Sequence, residues 1–278
     1  MKKILFPTDF SEPANEAFAY ALHLASRWQA QIYCLHVYSL THTADMLAPA
    51  DIIQAIQEEE EERALNSMEQ YHLRIEEEAG KKVKLTPLLQ AGFPADAISE
   101  TSRRIKPDLI VMGTKGAHNP IDRMLGSVTS SVIEQVDIPL LAIPERTSFS
   151  AIKQVVYASD LKEKDHKVVV TLGNWARALE AELSVLHIGK ESEPALDAEA
   201  IDSAQQLYQT ETGFEGLKFF YLRGRDSGEV MSQFIEEESV DILAVSTHRR
   251  SFFNRLFHRG MTRKLALYGR KPLLVFHN

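Results

Sequence analysis

The sequence predicts an α/β protein made of two copies of one unit, each a five-stranded, mainly parallel sheet with helices on both faces. Two observations carry this reading. The first is an internal repeat: ILFPTDFS (4–11) aligns with VVYASDLK (155–162) at a shift of 151 residues, which sets Asp9 opposite Asp160. The same shift aligns ASRWQAQIYCLHV (25–37) with ARALEAELSVLHI (176–188) without a gap. Further on the shift falls to 133, matching PDLIVMGT (107–114) to VDILAVST (240–247) and IPLLAI to KPLLVF, so the second copy is 18 residues shorter in between. Copies this large point to duplication rather than to a solenoid, whose units run to about 20–45 residues. The boundary is expected near Thr147, giving units 1–147 and 148–278. The second observation is that strands apolar along their whole length alternate with amphipathic helices, the pattern of a parallel sheet covered on both faces.

The elements of the first copy follow in order. KKILFPTD is a short apolar strand, and in the segment after it Ala17, Ala21, Leu24, Ala25 and Trp28 recur at helical spacing. Ser11 is placed to cap that helix, with Pro13 in its first turn. Next come strand QIYCLHVY, a long helix within 50–79, strand KVKLTPLLQ and helix PADAISETSRRI. The unit closes with strand DLIVMGT, a glycine-containing loop, a helix from about Ser127 and strand IPLLAI. In such sheets ligands sit beyond the carboxyl ends of the strands, where the strand order reverses. Asp9, Val37 and Gly113 all fall at carboxyl ends.

Bulk properties exclude several classes of function. The chain has 278 residues, 44% of them hydrophobic and 25% charged, enough to build ordinary globular cores. A formal net charge of −8 argues against nucleic acid or an anionic membrane as partner, because both reward clustered Lys and Arg. Cys34 is the single cysteine, so the chain can form no internal disulfide, and a reducing compartment suits it. The opening MKKILFPTDF breaks its apolar run at Pro7 and Asp9, too soon for a signal peptide, and no run approaches the 18 or so apolar residues of a membrane span. A cytoplasmic location is expected.

Residues 112–133, MGTKGAHNPIDRMLGSVTSSVI, carry the chemistry. The pattern is Gly113-x2-Gly116-x9-Gly126-Ser127. Ser127 is read as the cap of the next helix, whose first-turn N–H groups make an anion site. Gly113 and Gly116 let backbone amides approach an oxyanion without a β-carbon in the way, and Thr129 and Ser130 add hydroxyl donors. The plain alternative is a turn-rich loop with glycine wherever φ must be positive. The pattern is neither the P-loop nor the dinucleotide fingerprint.

This loop, with Asp9 ending the first strand, LHV ending the second and a five-strand order of elements, resembles the universal stress protein family in its tandem form. The resemblance spans essentially the whole chain and is complete in the first copy. It implies a Rossmann-like or flavodoxin-like domain that binds ATP or a related adenine nucleotide. It also implies that Asp9, beside Thr8, and Val37 hold the adenine and ribose end, with Met112 packing nearby. Gly113, Gly116, Gly126, Ser127, Val128 and Thr129 would surround ribose and phosphates. Family members commonly dimerise through their last strands; here IPLLAI and KPLLVF are able to pair inside one chain, and further association into a homodimer stays open.

The second copy departs from the pattern: Ser246 replaces Gly113, Arg249 replaces Gly116, and Arg259-Gly260 replaces Gly126-Ser127. Either it retains the fold as a partner subunit, or the arginines at 249, 250, 255, 259 and 263 form a second anion site, with Arg249 and Arg259 as its centre. His36 and His187 end equivalent strands, and backbone satisfaction explains them better than shared catalysis. No histidine has metal-ligand spacing, so no metal site is expected. Glu58 to Glu62 read as a solvated helix face and Cys34 as an inert core thiol. Binding is favoured over turnover, since Asp122 is the one acidic residue inside the loop, although slow hydrolysis with Mg²⁺ beside the nucleotide stays open. Two other classes remain: a nucleotide-independent signalling adaptor acting through protein contacts, and an enzyme acting on a phosphorylated small molecule.

Overall fold

The computed structural model describes residues 1–38, 49–79, 83–114, 126–161, 165–192, 194–247 and 271–277. Short apolar runs become the strands of one ten-stranded sheet. The first half supplies β1 (Lys3–Thr8), β2 (Gln31–Tyr38), β3 (Leu85–Ala91), β4 (Leu109–Gly113) and β5 (Leu140–Ile143), ordered β3-β2-β1-β4-β5. The second half supplies β6 (Gln154–Ala158), β7 (Glu182–Lys190), β8 (Lys218–Gly224), β9 (Ile242–Thr247) and β10 (Leu273–His277), ordered β8-β7-β6-β9-β10. Each half is parallel throughout and has the 3-2-1-4-5 order of a Rossmann half, not the 2-1-3-4-5 order of flavodoxin. The repeat seen in the sequence is also a repeat of register. Ile4 lies opposite Leu109 in the first half and Val155 opposite Ile242 in the second, positions related by the two sequence shifts.

The halves join where β5 meets β10 antiparallel, with Leu273 opposite Ala142, Leu274 opposite Leu141 and Val275 opposite Leu140. This is the pairing of IPLLAI with KPLLVF expected from the sequence. Because both strands are apolar on both faces, the seam buries as sheet interior, and each half's fifth strand covers the edge the other would expose.

Seven described helices cover the sheet: α1 (Glu12–Trp28), α2 (Ala50–Ala79), α3 (Pro94–Ile105), α4 (Ser127–Gln135), α5 (Asp165–Leu179), α6 (Ala198–Thr212) and α7 (Ser227–Glu237). Side chains alternate along each strand, so Ile4 and Phe6 join one apolar cluster while Leu5 joins the other. The first cluster runs through both halves under α1, α2, α5 and α6; the second lies under α3, α4 and α7. Trp28 of α1 packs on Trp175 of α5 across the seam at 5.3 Å, and Phe149 of the connecting segment packs on Tyr20 and His23 at 4.9 and 5.0 Å. Ser11 occupies the N-cap of α1 as expected, but its side chain does not cap the helix. Its N–H and hydroxyl both donate to Asp9 Oδ1 instead, because the turn leaving β1 brings that carboxylate closer than the helix N–H groups.

Candidate functional site

A cleft of about 320 Å³ opens beyond the carboxyl ends of β1 and β4, where the strand order of the first half reverses. Thr8, Asp9, Val37, Met112, Gly113, Gly126, Ser127, Val128 and Thr129 line it as expected, whereas Ser130, read as a further hydroxyl donor, does not. Gly116 and Asp122 lie outside the described residues, as do Arg249 and Arg259 of the second half.

The strand β1 delivers Thr8 and Asp9 in a fixed arrangement. The Tyr71 hydroxyl donates to Asn15 Oδ1 at 2.8 Å, so at the 3.0 Å contact with Thr8 it is the threonine that donates, while Thr8 Oγ1 accepts from the Phe10 N–H at 3.0 Å. Burial pushes the Tyr71 phenol up to about 12, which keeps it a neutral donor near pH 7. Asp9, exposed at the rim, accepts from the Ser11 N–H at 3.0 Å and so shapes the turn into α1.

Gly113 is where two elements touch. A β-carbon there would stand 2.5 Å from the Pro13 carbonyl oxygen, so only glycine lets the first turn of α1 rest directly on the end of β4. Gly126 has φ 71° and ψ 156°, a conformation that L side chains rarely adopt, and it is this residue that caps α4. Ser127 is therefore the first helical residue rather than the cap expected from the sequence. The positive φ that turns the chain into the helix displaces the cap by one position toward glycine. The first intrahelical bond runs from the Ser130 N–H to the Gly126 carbonyl at 3.1 Å, which leaves the N–H groups of Ser127, Val128 and Thr129 at the helix's open end. No acidic side chain occupies that turn. Three lining residues with N–H groups at a helix N-terminus form a cradle suited to an anion.

Apolar side chains also border the cleft. Leu35, Val37, Ile98 and Met112 line it, with Pro94 at the start of α3. Leu35, Pro94 and Ile98 were not singled out from the sequence. Leu35 is visible as the residue two before Val37 on the same strand face, but Pro94 and Ile98 enter only because the topology lays α3 beside β2 and β4, and no local pattern signals that.

His36 Nδ1 lies 2.9 Å from the Thr8 carbonyl and His187 Nδ1 lies 2.8 Å from the Ser159 carbonyl, equivalent backbone contacts that hold the strand ends together. Cys34 is buried, and that burial raises its thiol to about 12. Among the described residues no group of three or more His, Cys, Asp or Glu side chains is placed to hold a metal ion, and no helix is long and apolar enough to cross a membrane.

The same position in the second half is built differently. Ser246 stands where the first half has Gly113, and Asp165 stands where it has Ala14. The Tyr157 hydroxyl lies 2.9 Å from Asp165 Oδ1 and 3.0 Å from Ser246 Oγ, and Ser159 Oγ donates to Asp165 Oδ2 at 2.7 Å. Asp165 is only 2% exposed. A buried polar cluster thus bridges helix to strand where the first half has backbone-to-backbone contact.

Fold and cleft together define a tandem α/β protein of Rossmann order whose two halves share one sheet and whose first half carries a glycine-lined cleft at its switch point. The family model described as the universal stress protein family matches residues 1–144 and again residues 151–277, and the chain belongs to that family. A universal stress protein of Synechocystis is 23% identical over 293 residues, covering 99% of this chain and all of that protein. One of Methanocaldococcus jannaschii is 33% identical over 144 residues, 51% of this chain and 81% of that protein. Among solved structures, a universal stress protein from Archaeoglobus fulgidus superposes with a TM-score of 0.72 at 19% identity, over 99% of this chain and 96% of that one, which establishes the shared fold.

Proposed function

We propose that the first half binds ATP or a related adenine nucleotide, as a cytoplasmic stress-response protein, and that the second half serves as its built-in dimer partner. One observation carries the reading: a single cleft is lined both by apolar side chains, Val37, Ile98 and Met112 among them, and by the residues of the first turn of α4. A planar base suits the apolar lining, and phosphates suit the helix N-terminus. Asp9 and Thr8 would face the ribose side, while Gly113, Gly126, Ser127, Val128 and Thr129 would surround the phosphates, with Mg²⁺ accompanying them. Binding rather than turnover is proposed, because among the described residues that line the cleft Asp9 is the one carboxylate, and it is already engaged by Ser11.

The test is to denature freshly purified protein and identify the released small molecules by mass spectrometry, beside Gly113→Val and Gly126→Arg variants. ATP or a related nucleotide is expected from the parent protein and from neither variant. If none is released and calorimetry detects no ATP binding, the proposal fails and a protein-contact adaptor takes its place.

A further inference from the structure

Asp9, the carboxylate on the rim of the cleft, stands between two residues that meet the same buried side chain. Thr8 before it donates its hydroxyl to Tyr71 Oη at 3.0 Å, and Phe10 after it stacks its ring on that of Tyr71 with centroids 6.1 Å apart. Tyr71 belongs to α2, is 3% exposed and is not among the residues that line the cleft. Its hydroxyl also reaches the first turn of α1, donating to Asn15 Oδ1 at 2.8 Å, next to the Ala14 that lines the cleft. Tyr71 thus ties the end of β1 to the start of α1 from outside the site.

The turn that carries Asp9 depends on such ties. Phe10 has φ 59°, in the left-handed region that a residue with a side chain enters at a cost, and a conformation of that kind persists where its surroundings over-determine it. The Phe10 ring lies 4.7 Å from that of His36, and His36 Nδ1 lies 2.9 Å from the Thr8 carbonyl. With its own proton directed at Tyr71, Thr8 Oγ1 turns a lone pair to the Phe10 N–H at 3.0 Å.

The second half builds the same turn with a different tie. Leu161 has φ 56°, and its N–H donates to Ser159 Oγ at 2.9 Å. Tyr208 of α6 stands in the place of Tyr71, yet its hydroxyl lies 3.5 Å from Ser159 Oγ, which donates to Asp165 Oδ2 at 2.7 Å instead. The first half has Ala14 where that carboxylate stands. Among the described residues, Tyr71 is therefore the side chain that takes up the Thr8 proton.

We infer that Tyr71 is a positioning residue of the nucleotide site, setting Thr8 and Asp9 from outside the cleft so that they meet the ribose already in place. The inference rests on the reading of the cleft as an adenine-nucleotide site. Groups held before a ligand arrives cost less to order when it binds, so the Tyr71 hydroxyl acts on affinity without touching the ligand.

Tyr71→Phe keeps the ring and removes only the hydroxyl. Tyr208→Phe does the same at the equivalent place in the second half, where the residue is 2% exposed, and so controls for the loss of a buried hydroxyl. ATP is titrated by calorimetry into each full-length protein after bound nucleotide has been dialysed away. Tyr71→Phe is expected to weaken binding roughly three- to tenfold, the worth of one hydrogen bond, while Tyr208→Phe leaves it unchanged. Thr8→Val breaks the same bond from its other end and should also weaken binding, and adding Tyr71→Phe to it should cost little more. Equal affinity in the parent protein and Tyr71→Phe overturns the inference while the nucleotide reading stands. An equal loss in both phenylalanine variants does the same, because it marks general destabilisation, as does full additivity of Tyr71→Phe with Thr8→Val, because the tyrosine then acts by another route. Unchanged affinity in Thr8→Val overturns it whether or not Tyr71→Phe folds. A parent protein that binds no ATP overturns the nucleotide reading and this inference together.

Discussion

Gly113 shows how one missing side chain acts on two neighbours. With the Pro13 carbonyl oxygen 2.5 Å from any added β-carbon, Gly113→Ala must push the first turn of α1 off β4. The expected cost is about 1–3 kcal/mol, as for other overpacked sites, measured by urea unfolding beside the parent protein. The glycine itself was legible in the sequence, but its contact with α1 was not. The spacing suggested only that something approaches closely, and the closest approach turns out to come from the protein's own helix. A second prediction at this scale concerns His23, whose pKa is held below its ordinary value by burial and then by the neighbouring Arg27. Because the folded state binds that proton less readily than the unfolded chain, its contribution is fully present above the unfolded value and is lost as pH falls from about 6.5 toward the lower folded value. Melting temperature should therefore drop between pH 7.5 and 5.5, and His23→Gln should flatten that part of the profile. Cys34, with its thiol raised to about 12, should react with a thiol reagent only after unfolding.

At the scale of elements, the central strands β1, β4 and β5 were legible because burial on both faces leaves them almost no polar positions. The range expected for β2 coincides with the observed strand, and the helices at 50–79 and 94–105 coincide as well. Caps were less legible, since Ser beside Gly at the start of α4 offers two candidates and only the dihedral angle of Gly126 chooses between them. Asp197 is a cap that does use its side chain, accepting from the Ala200 N–H at 2.8 Å. Asp197→Ala should lower stability by about 1 kcal/mol in the same urea experiment. The packed stretch of α2 was hidden for a different reason. An acidic run reads as a solvated face wherever it occurs, and only the burial of Ala64, Met68, Tyr71 and Ile75 shows which part of the helix packs into the core.

For the whole molecule the seam decides behaviour. Apolar clusters extend from one half into the other, and Leu274, 3% exposed, lies on the strand that joins them. Leu274→Ala is expected to cost about 3 kcal/mol and to move a single unfolding transition rather than split it in two. Two transitions in calorimetry would show instead that the halves melt separately. The tandem arrangement was legible from the repeat, because matching shifts imply matching registers. The differing chemistry of the two switch points was legible only in part. Ser246 in place of Gly113 was plain, whereas its meeting with Asp165 and Tyr157 required the fold.

The antiparallel meeting of β5 with β10 has an evolutionary side. In an assembly of identical chains every substitution is inherited on both sides of the two-fold axis at once. Here each half has its own stretch of coding sequence, so a change reaches one side only. Ser246 and the 15-residue α6 stand in the second half where the first has Gly113 and the 30-residue α2. The covalent connection lets the two halves differ in their chemistry while the interface between them is kept.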